Sequence, residues 1–354
     1  MEPVFIYPGT FCPATYGHAN IVKRLGKMFA KVFVVCSENP DKKNRLFTTA
    51  EAKALWSSYN LPKNVVIDTL EEFLARKFNP KRLVMIRGIR DEKDFDYEKK
   101  VFFHNKNSFG IDKYIFIPSE KKYHNISSSL AREKAAKGDL LGLSRLVSPL
   151  VASALLEKTF GFENLFLVVG RPGGGKSTFL KKMTELDSNN IHINTDEFNH
   201  ALRPLLAKLF GDEDLMSVAL KNEAKLMKAI KTPWLKMLGE SLIMAKGKKN
   251  IFIEAAYGLK ADKSIFRFIG GKVIYIGCNS ETENLARMNG RGTPHLSPFL
   301  LTIPGYEESV KIAEEKKLLL AKVETDGSME ELSVRAKELN KAIKEGTVYG
   351  GSIL

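Results

Sequence analysis

Along this chain, short apolar runs alternate with longer stretches in which apolar residues return every three or four positions. Val4 to Tyr7 is the first such run, and from Gly17 a helical period carries Ile21, Val22, Leu25 and Phe29. Lys31 to Ser37 reads as a strand, Glu51 to Tyr59 as a helix, Val65 to Thr69 as a strand and Leu70 to Phe78 as a short helix. Leu83 to Ile86, Asp94 to Phe109, Tyr114 to Ile117 and Ser127 to Ala136 continue the order strand, helix, strand, helix. Strands separated by helices predict a parallel sheet covered on both faces. Leu140 to Leu156 then reads as one closing apolar helix.

The alternation restarts at Leu165 to Val169, followed by a helix to about Leu186 and a strand over Ile191 to Asp196. Phe198 to Lys246 is mostly helical in pattern, with breaks at Gly211 and at Lys231-Thr232-Pro233. Ile251 to Glu254 and Val273 to Gly277 are further strands, Ser280 opens a helix that ends near Arg287 to Gly292, and Met329 to Lys344 is a last amphipathic helix. The expected fold class is therefore α/β, with two doubly wound parallel-sheet domains. They occupy residues 1–158 and 165–346, joined by a short linker at 159–164 and followed by a tail at 347–354.

Composition narrows this picture. A chain of 354 residues suits two domains of about 100–200 residues each. The cysteines, Cys12, Cys36 and Cys278, are far apart and form no C-x-x-C pair, which predicts neither a disulfide framework nor a zinc site and suits a reducing cytoplasm. The start lacks a basic, apolar leader, and no run approaches the roughly 18 apolar residues of a membrane span, so the expectation is a soluble protein without a membrane partner. The formal net charge of +14 points to anionic partners without choosing among nucleotides, phosphorylated metabolites, nucleic acid and an acidic membrane surface. Lysine pairs are scattered and not interleaved with aromatic residues, which makes nucleic acid less expected.

Candidate chemistry collects in two places. Gly170 to Thr178 reads G-R-P-G-G-G-K-S-T between a strand and a helix, the P-loop spacing. Gly173, Gly174 and Gly175 let backbone N–H groups crowd phosphate oxygens, Lys176 can reach the β and γ phosphates of ATP, and the Ser177 hydroxyl beside Thr178 suits Mg²⁺. Asp196, at a strand end, is a candidate to accept a hydroxyl proton, with a helix N-cap as the alternative role. Arg287 and Arg291 close a helix where a lid would bring charge to a transferring phosphoryl group, although either alone is more often a surface residue. In the first domain, ligands of a parallel sheet lie beyond the strands' carboxyl ends, and there stand Thr10, His18, Lys42, Arg87, Arg90 and the run Ser127-Ser128-Ser129. Taken singly these are caps and solvated charges; together they make a phosphate site.

Ile6 to His18, I-Y-P-G-T-F-C-P-A-T-Y-G-H, resembles the signature of nucleotidyltransferases with a Thr/His-x-Gly-His motif. R-G-I-R-D-E-K-D-F-D-Y-E (Arg87 to Glu98) and I-S-S-S-L-A-R (Ile126 to Arg132) narrow the resemblance to phosphopantetheine adenylyltransferase, through about Leu155. The resemblance implies a Rossmann-like domain that transfers an adenylyl group from ATP to 4′-phosphopantetheine, giving dephospho-CoA and pyrophosphate. It implies that His18 donates to the α-phosphate, that Thr10 and Lys42 orient the attacking phosphate, and that Phe11, Gly17, Arg90, Ser127, Ser128 and Ser129 contact ATP. Arg87, Glu98 and Asn105 match pantetheine-side positions, Glu98 counting among the ATP contacts as well. Cys12 stands where the pattern has Asp, which weakens any expectation about a metal in this half.

The second half resembles P-loop kinases of small molecules. The order P-loop, Asp196, Leu285-Ala286-Arg287 to Arg291, then Thr325 to Leu332 is similar to dephospho-CoA kinase, with Arg287 on the substrate side. G-R-P-G-G-G-K-S-T, I-N-T-D-E-F and N-G-R-G-T are also similar to the kinase domain of polynucleotide kinases, and Asn194 replaces the first Asp of the dephospho-CoA kinase D-x-D. A nicotinamide mononucleotide adenylyltransferase fused to a ribosylnicotinamide kinase has the same two folds in order, and the Arg87–Glu98 and Ile126–Arg132 segments argue against it. A nucleotide-sensing regulator would leave both sites idle. Because the first domain's product is a substrate of the first candidate, the resemblance implies a bifunctional CoA synthase. Its partners would be 4′-phosphopantetheine, dephospho-CoA and ATP with Mg²⁺, and self-association is left open.

Overall fold

The structure is a computed structural model, and it describes residues 2–38, 45–211, 215–254, 268–290, 306–315 and 318–346. The chain divides into two compact units, Met1–Ala135 with Gly142–Leu155, and Ala136–Leu141 with Leu156–Leu354. Lys42, Arg291 and the tail from residue 347 lie outside the described residues.

In the first unit, β1 (Val4–Gly9), α1 (Tyr16–Met28), β2 (Val32–Cys36), α2 (Thr49–Leu55), β3 (Val65–Thr69), α3 (Leu70–Ala75), β4 (Leu83–Ile89), α4 (Glu92–Phe109), β5 (Lys113–Pro118) and α5 (Ser128–Ala136) follow one another. The sheet has five parallel strands in the order β3-β2-β1-β4-β5. The chain moves outward from β1 to β3 and then crosses back to β4, so β1 and β4 flank a switch point, where such sheets open a crevice. Alternate residues of three strands, Val4 and Ile6, Phe33 and Val35, Leu83 and Met85, form one buried layer with Phe73 of α3. On the other side α1 buries Ile21, Val22 and Leu25, each contributing roughly 1.5–3 kcal/mol of apolar burial. Threonines at the strand-to-helix turns start the helices: Thr48 with Glu51 and Thr69 with Glu72 form capping boxes.

The short helix α6 (Leu140–Leu143) and α7 (Pro149–Phe160) stand where the apolar period predicts one helix. The break has a local cause. The Ser148 hydroxyl accepts from Val151 N at 3.4 Å and Pro149 takes the first helical position, so the pair writes a new helix start inside the apolar period. The division between the units falls within α7, and the interval 159–164 holds its last turn and the first strand residue of the second unit.

The second unit comprises β6 (Asn164–Val169), α8 (Lys176–Leu186), β7 (Asn190–Asn194), α9 (Asp196–Phe210), α10 (Leu215–Met244), β8 (Asn250–Glu254), β9 (Lys272–Gly277), α11 (Glu281–Asn289), α12 (Tyr306–Glu315), β10 (Leu319–Glu324) and α13 (Met329–Glu345). Its five parallel strands run β10-β9-β6-β8-β7. Phe166, Val168, Phe252, Ile274 and Ile276 pack under Phe179 and Met183 of α8 and Leu332, Ala336 and Leu339 of α13. At the strands' amino ends, Asn164 Nδ2 donates to Asn250 Oδ1 and Asn250 Nδ2 to Asn190 Oδ1, each at 2.9 Å, and Asn190 Nδ2 reaches Asn340 Oδ1 at 3.0 Å. This ladder fixes the register that sets Glu254 opposite Val168 on one side and Asn194 on the other.

Two features depart from the periodicity. Helix α10 runs through Pro233 instead of stopping there. Burial of Ile230, Leu235 and Leu238 around the proline outweighs the roughly 3 kcal/mol of its lost bond and ring clash. β10 escapes the pattern because Lys322 and Glu324 interrupt it; only its alternate residues Leu319, Ala321 and Val323 are buried.

Candidate active sites

A cleft of about 610 Å³ opens at the switch point of the first unit, lined by the carboxyl ends of β1 and β4 and the starts of α1, α4 and α5. Thr10, Phe11, Gly17, His18, Arg87, Arg90, Glu98 and Ser127 to Ser129 all face it. The sequence-level assembly of these residues is thus a spatial one.

His18 occupies the third position of α1 and closes a capping box with Thr15. Thr15 N donates to His18 Nδ1 at 3.1 Å, the Thr15 hydroxyl lies 2.9 Å from the same nitrogen, and Thr15 is fully buried. A neutral ring accepting at Nδ1 carries its proton on Nε2. The cap therefore fixes the tautomer, and capping and donating to a ligand are compatible roles. Phe11 holds positive φ at 40°, which is costly for a bulky residue, and its ring is buried edge-on between His18 and Trp56, at 5.3 and 5.0 Å. That packing keeps both the turn and the imidazole in place.

The serine run works through three different bonds. Ser127 Oγ accepts from Leu130 N at 3.1 Å, Ser128 Oγ donates to Pro13 O at 2.8 Å, and Ser129 Oγ accepts from Arg132 Nη2 at 3.1 Å. Arg90 forms a fork with Asp94, Nε to Oδ2 at 2.7 Å and Nη2 to Oδ1 at 3.0 Å. The Asp94 carboxylate raises the Arg90 pKa, and Arg90 holds Asp94 below the ordinary carboxylate range. Burial alone would lower the Arg87 pKa, but its bonds to Glu98 more than offset this and it is raised. Asn105 is not brought into the cleft lining; its Nδ2 donates to Tyr114 Oη at 2.5 Å. Cys12 is buried at the cleft wall, and its carbonyl accepts from Arg132 Nη1 at 2.6 Å.

In the second unit, Gly170 to Thr178 spans the end of β6 and the start of α8. A Cβ on Gly170 would lie 1.8 Å from Ile276 O, and Gly175 takes φ 79° as the residue before α8, so side chains at either position would break the loop. Gly173 and Gly174 are buried in the loop, and Thr178 is exposed on the first turn. Lys176 Nζ donates to Gly170 O and Arg171 O, both at 3.0 Å. Ser177 Oγ donates to the Glu254 carboxylate at 3.0 Å.

Glu254 was not among the residues the sequence singles out. It ends β8, the strand next to β6, whereas Asp196 follows β7, which β8 separates from β6. The signal was an acid ending an apolar strand, I-F-I-E, and its meaning depends on a strand order that the sequence does not display. Glu254 is 5% exposed; burial pushes its pKa up, but His192, Lys176 and Ser177 more than offset this and hold it below the ordinary range. Asp196 is exposed and is the first residue of α9, not its cap. Thr195 precedes the helix, and Asn194 Oδ1 accepts from Asp196 N at 3.1 Å. Arg287 donates to Thr325 Oγ1 at 3.1 Å and Thr325 O at 2.8 Å, and pairs with Glu283. Thr325 Oγ1 in turn donates to Gly174 O at 2.9 Å, so Arg287 is linked to the P-loop through Thr325.

The two sites differ in the donors they offer a cation accompanying ATP. In the second unit the Ser177 hydroxyl and the Glu254 carboxylate are hard oxygen ligands that suit Mg²⁺. In the first unit the carboxylates of Asp94 and Glu98 are held by arginines and Cys12 offers a soft thiol, so the donor set does not fit. Cys278, Glu283 and Asp326 also come within 4.8 Å of one another. Asp326 there caps the Asn279 and Ser280 N–H groups and Glu283 is paired with Arg287, which accounts for the cluster.

The first unit's sheet, switch-point cleft and histidine at the helix start define a nucleotidyltransferase of the α/β class, and the family model described as cytidylyltransferase-like matches residues 6–134. Through this half the chain belongs to the phosphopantetheine adenylyltransferase family: it is 37% identical over 162 residues to a phosphopantetheine adenylyltransferase of Mannheimia succiniciproducens, covering 99% of that protein and 45% of this chain. That of Caldanaerobacter subterraneus subsp. tengcongensis is 38% identical over 160 residues, covering 96% of it and 44% of this chain. A solved NadR protein in complex with NR aligns over 100% of this chain and 90% of that one, with 13% identity and a TM-score of 0.31, a likeness too distant to carry an assignment. Among the described residues, no helix is long and apolar enough to cross a membrane.

Proposed function

We propose that the first unit transfers the adenylyl group of ATP to 4′-phosphopantetheine. A phosphate oxygen of the acceptor attacks the α-phosphorus, the bond to pyrophosphate breaks, and dephospho-CoA is released. The acceptor is already an anion at neutral pH, so no general base is needed and the protein positions the reactants and stabilises charge. The observation that carries this reading is His18, held by Thr15 with its Nε2 proton in a cleft that Thr10, Arg90 and the serine turn also line. His18 donates to the α-phosphate as charge develops, while Arg90, Ser128 and Ser129 hold the ATP phosphates. Lys42 is proposed with Thr10 to orient the acceptor.

We propose further that the second unit phosphorylates the 3′-hydroxyl of dephospho-CoA with a second ATP. Lys176 would follow the β and γ phosphates, Asp196 accept the hydroxyl proton, and Arg287 and Arg291 supply charge from the lid side. Ser177 and Glu254 would hold Mg²⁺, which when bound neutralises phosphate charge. Pathway logic supports this choice of acceptor, since the first reaction makes it. The setting is the cytoplasm, where both substrates and ATP are small soluble molecules.

The test is to incubate the purified chain with 4′-phosphopantetheine and ATP and follow products by mass spectrometry. CoA should form, with His18→Ala slowing the first step by about 10²–10³ and Lys176→Ala stopping only the second. Dephospho-CoA accumulating without CoA would eliminate the second assignment. Transfer of labelled phosphate to a 5′-hydroxyl oligonucleotide instead would identify the second unit as a polynucleotide kinase.

A further inference from the structure

Beside the P-loop, an imidazole holds the Glu254 carboxylate from the neighbouring strand. His192 of β7 places Nε2 at 2.9 Å from Glu254 Oε2, and Ser177 Oγ lies 3.0 Å from the same oxygen. Neither a P-loop nor an acid at the end of the adjacent strand requires a histidine there. An ionised carboxylate only accepts hydrogen bonds, so His192 is the donor and carries its proton on Nε2. Both side chains are largely buried, 15% and 7% exposed, which makes the bond strong and its loss costly.

We propose that His192 is a positioning residue that fixes Glu254 in the orientation needed for a nucleotide-bound divalent cation at Ser177; this rests on reading the second unit as an ATP-binding P-loop domain. Two neighbours define what the imidazole prevents. Lys176 Nζ stands 3.8 Å from Glu254 Oε1 while donating to Gly170 O and Arg171 O. A carboxylate released from His192 would turn toward that ammonium and close the ion pair, drawing the lysine from the phosphates and the acid from the cation. The backbone is pinned separately, by Thr195 Oγ1 donating to Glu254 O at 2.7 Å. Losing His192 therefore leaves the side chain of Glu254 to Ser177 and the nearby Lys176, without freeing its strand. Partners of this kind, behind a ligating group, typically carry about 10–100-fold of metal affinity.

The experiment is calorimetric titration of the full-length chain with a non-hydrolysable ATP analogue, in Mg²⁺ and in EDTA, following the component of binding that Lys176→Ala removes. His192→Phe keeps the bulk and loses the donor; His192→Gln keeps a donor. The Mg²⁺-dependent gain in affinity should fall about tenfold in His192→Phe and stay within about twofold of the parent in His192→Gln. A full gain in His192→Phe, or an equal loss in both variants with unchanged thermal unfolding, would overturn the role. If the parent chain shows no Lys176-dependent binding at all, the P-loop reading fails and takes this inference with it, a result distinct from either of the others.

Discussion

The Arg87 guanidinium grips both oxygens of the Glu98 carboxylate, Nε to Oε2 at 2.6 Å and Nη2 to Oε1 at 2.7 Å, while its Nη1 donates to Pro8 O at 2.8 Å. The fork joins the end of β4 to α4, and its third donor ties both to the end of β1, so one side chain holds three walls of the cleft. Glu98 is 6% exposed, so solvent compensates little for a lost partner. Arg87→Ala should therefore destabilise the first unit by about 3–5 kcal/mol, the cost of leaving one member of a buried pair unpaired. Arg87→Lys keeps the charge and loses the fork, and should fall between the variant and the parent. Urea unfolding monitored on the intact chain measures both; a loss below 1 kcal/mol for the alanine variant would show that the pair is not a structural tie.

Thr15 supports His18 with both a backbone donor and a hydroxyl. In Thr15→Val the buried volume is kept, but the hydroxyl that accepts from His18 N is gone. Stability should drop by about 0.5–2 kcal/mol, the worth of an N-cap. Adenylyl transfer should slow as well, less than in His18→Ala, with the change in kcat and not in the KM for ATP. A variant that loses stability but transfers at the parent rate would separate the cap from the chemistry.

The strands of the first unit and their alternation with helices were legible because each strand is a short apolar run bounded by turn chemistry, and the cleft followed from the rule that ligands sit beyond strand ends. His18, Arg90 and the serine run came together for that reason. Asn105 did not, since helical spacing alone cannot say whether a side chain turns toward a cleft or toward Tyr114. Glu254 was hidden for a topological reason: the chain reaches β7 before β8, yet β8 is the neighbour of β6. Sequence order made Asp196 look adjacent to the loop, and only strand pairing reverses that. The Ser148-Pro149 pair was readable as a helix start, but the apolar period through Leu140 to Leu156 overrode it.

The asparagine ladder at the amino ends of β6, β8 and β7 should carry register at the opposite ends, where Glu254 and His192 meet. Asn250→Leu leaves Asn164 Oδ1 bonded to Lys272 but strips a partner from Asn164 Nδ2 and from Asn190 Oδ1. Asn190 is buried and Asn164 only partly so, and the two lost bonds should cost about 1–3 kcal/mol together. A double-mutant cycle with Asn190→Leu should show the losses to be strongly non-additive, because the second change removes a group already orphaned. Additive losses would mean the ladder is two independent contacts.

Glu157, near the end of α7, accepts from Leu165 N at 3.0 Å, and burial pushes its carboxyl up from an ordinary 4.5 to about 7. The folded protein thus keeps a proton there that the unfolded chain releases above pH 4.5. Between about pH 4.5 and 7 the folded state binds more protons, so this group makes stability fall as pH rises, and the full cost stands above pH 7. From the size of the displacement that cost is at most about 3 kcal/mol, and about 1–3 kcal/mol is expected after allowing for partial solvent access. Glu157→Gln retains the acceptor for Leu165 and cannot ionise. At pH 8 the variant should be more stable than the parent by that amount, and at pH 4 the two should unfold nearly alike, since the parent's carboxyl is then mostly protonated in both states. Comparing the two proteins at each pH cancels every other titrating group, so a variant that is no more stable at pH 8 would place Glu157 in contact with water and remove the burial from which the displacement follows.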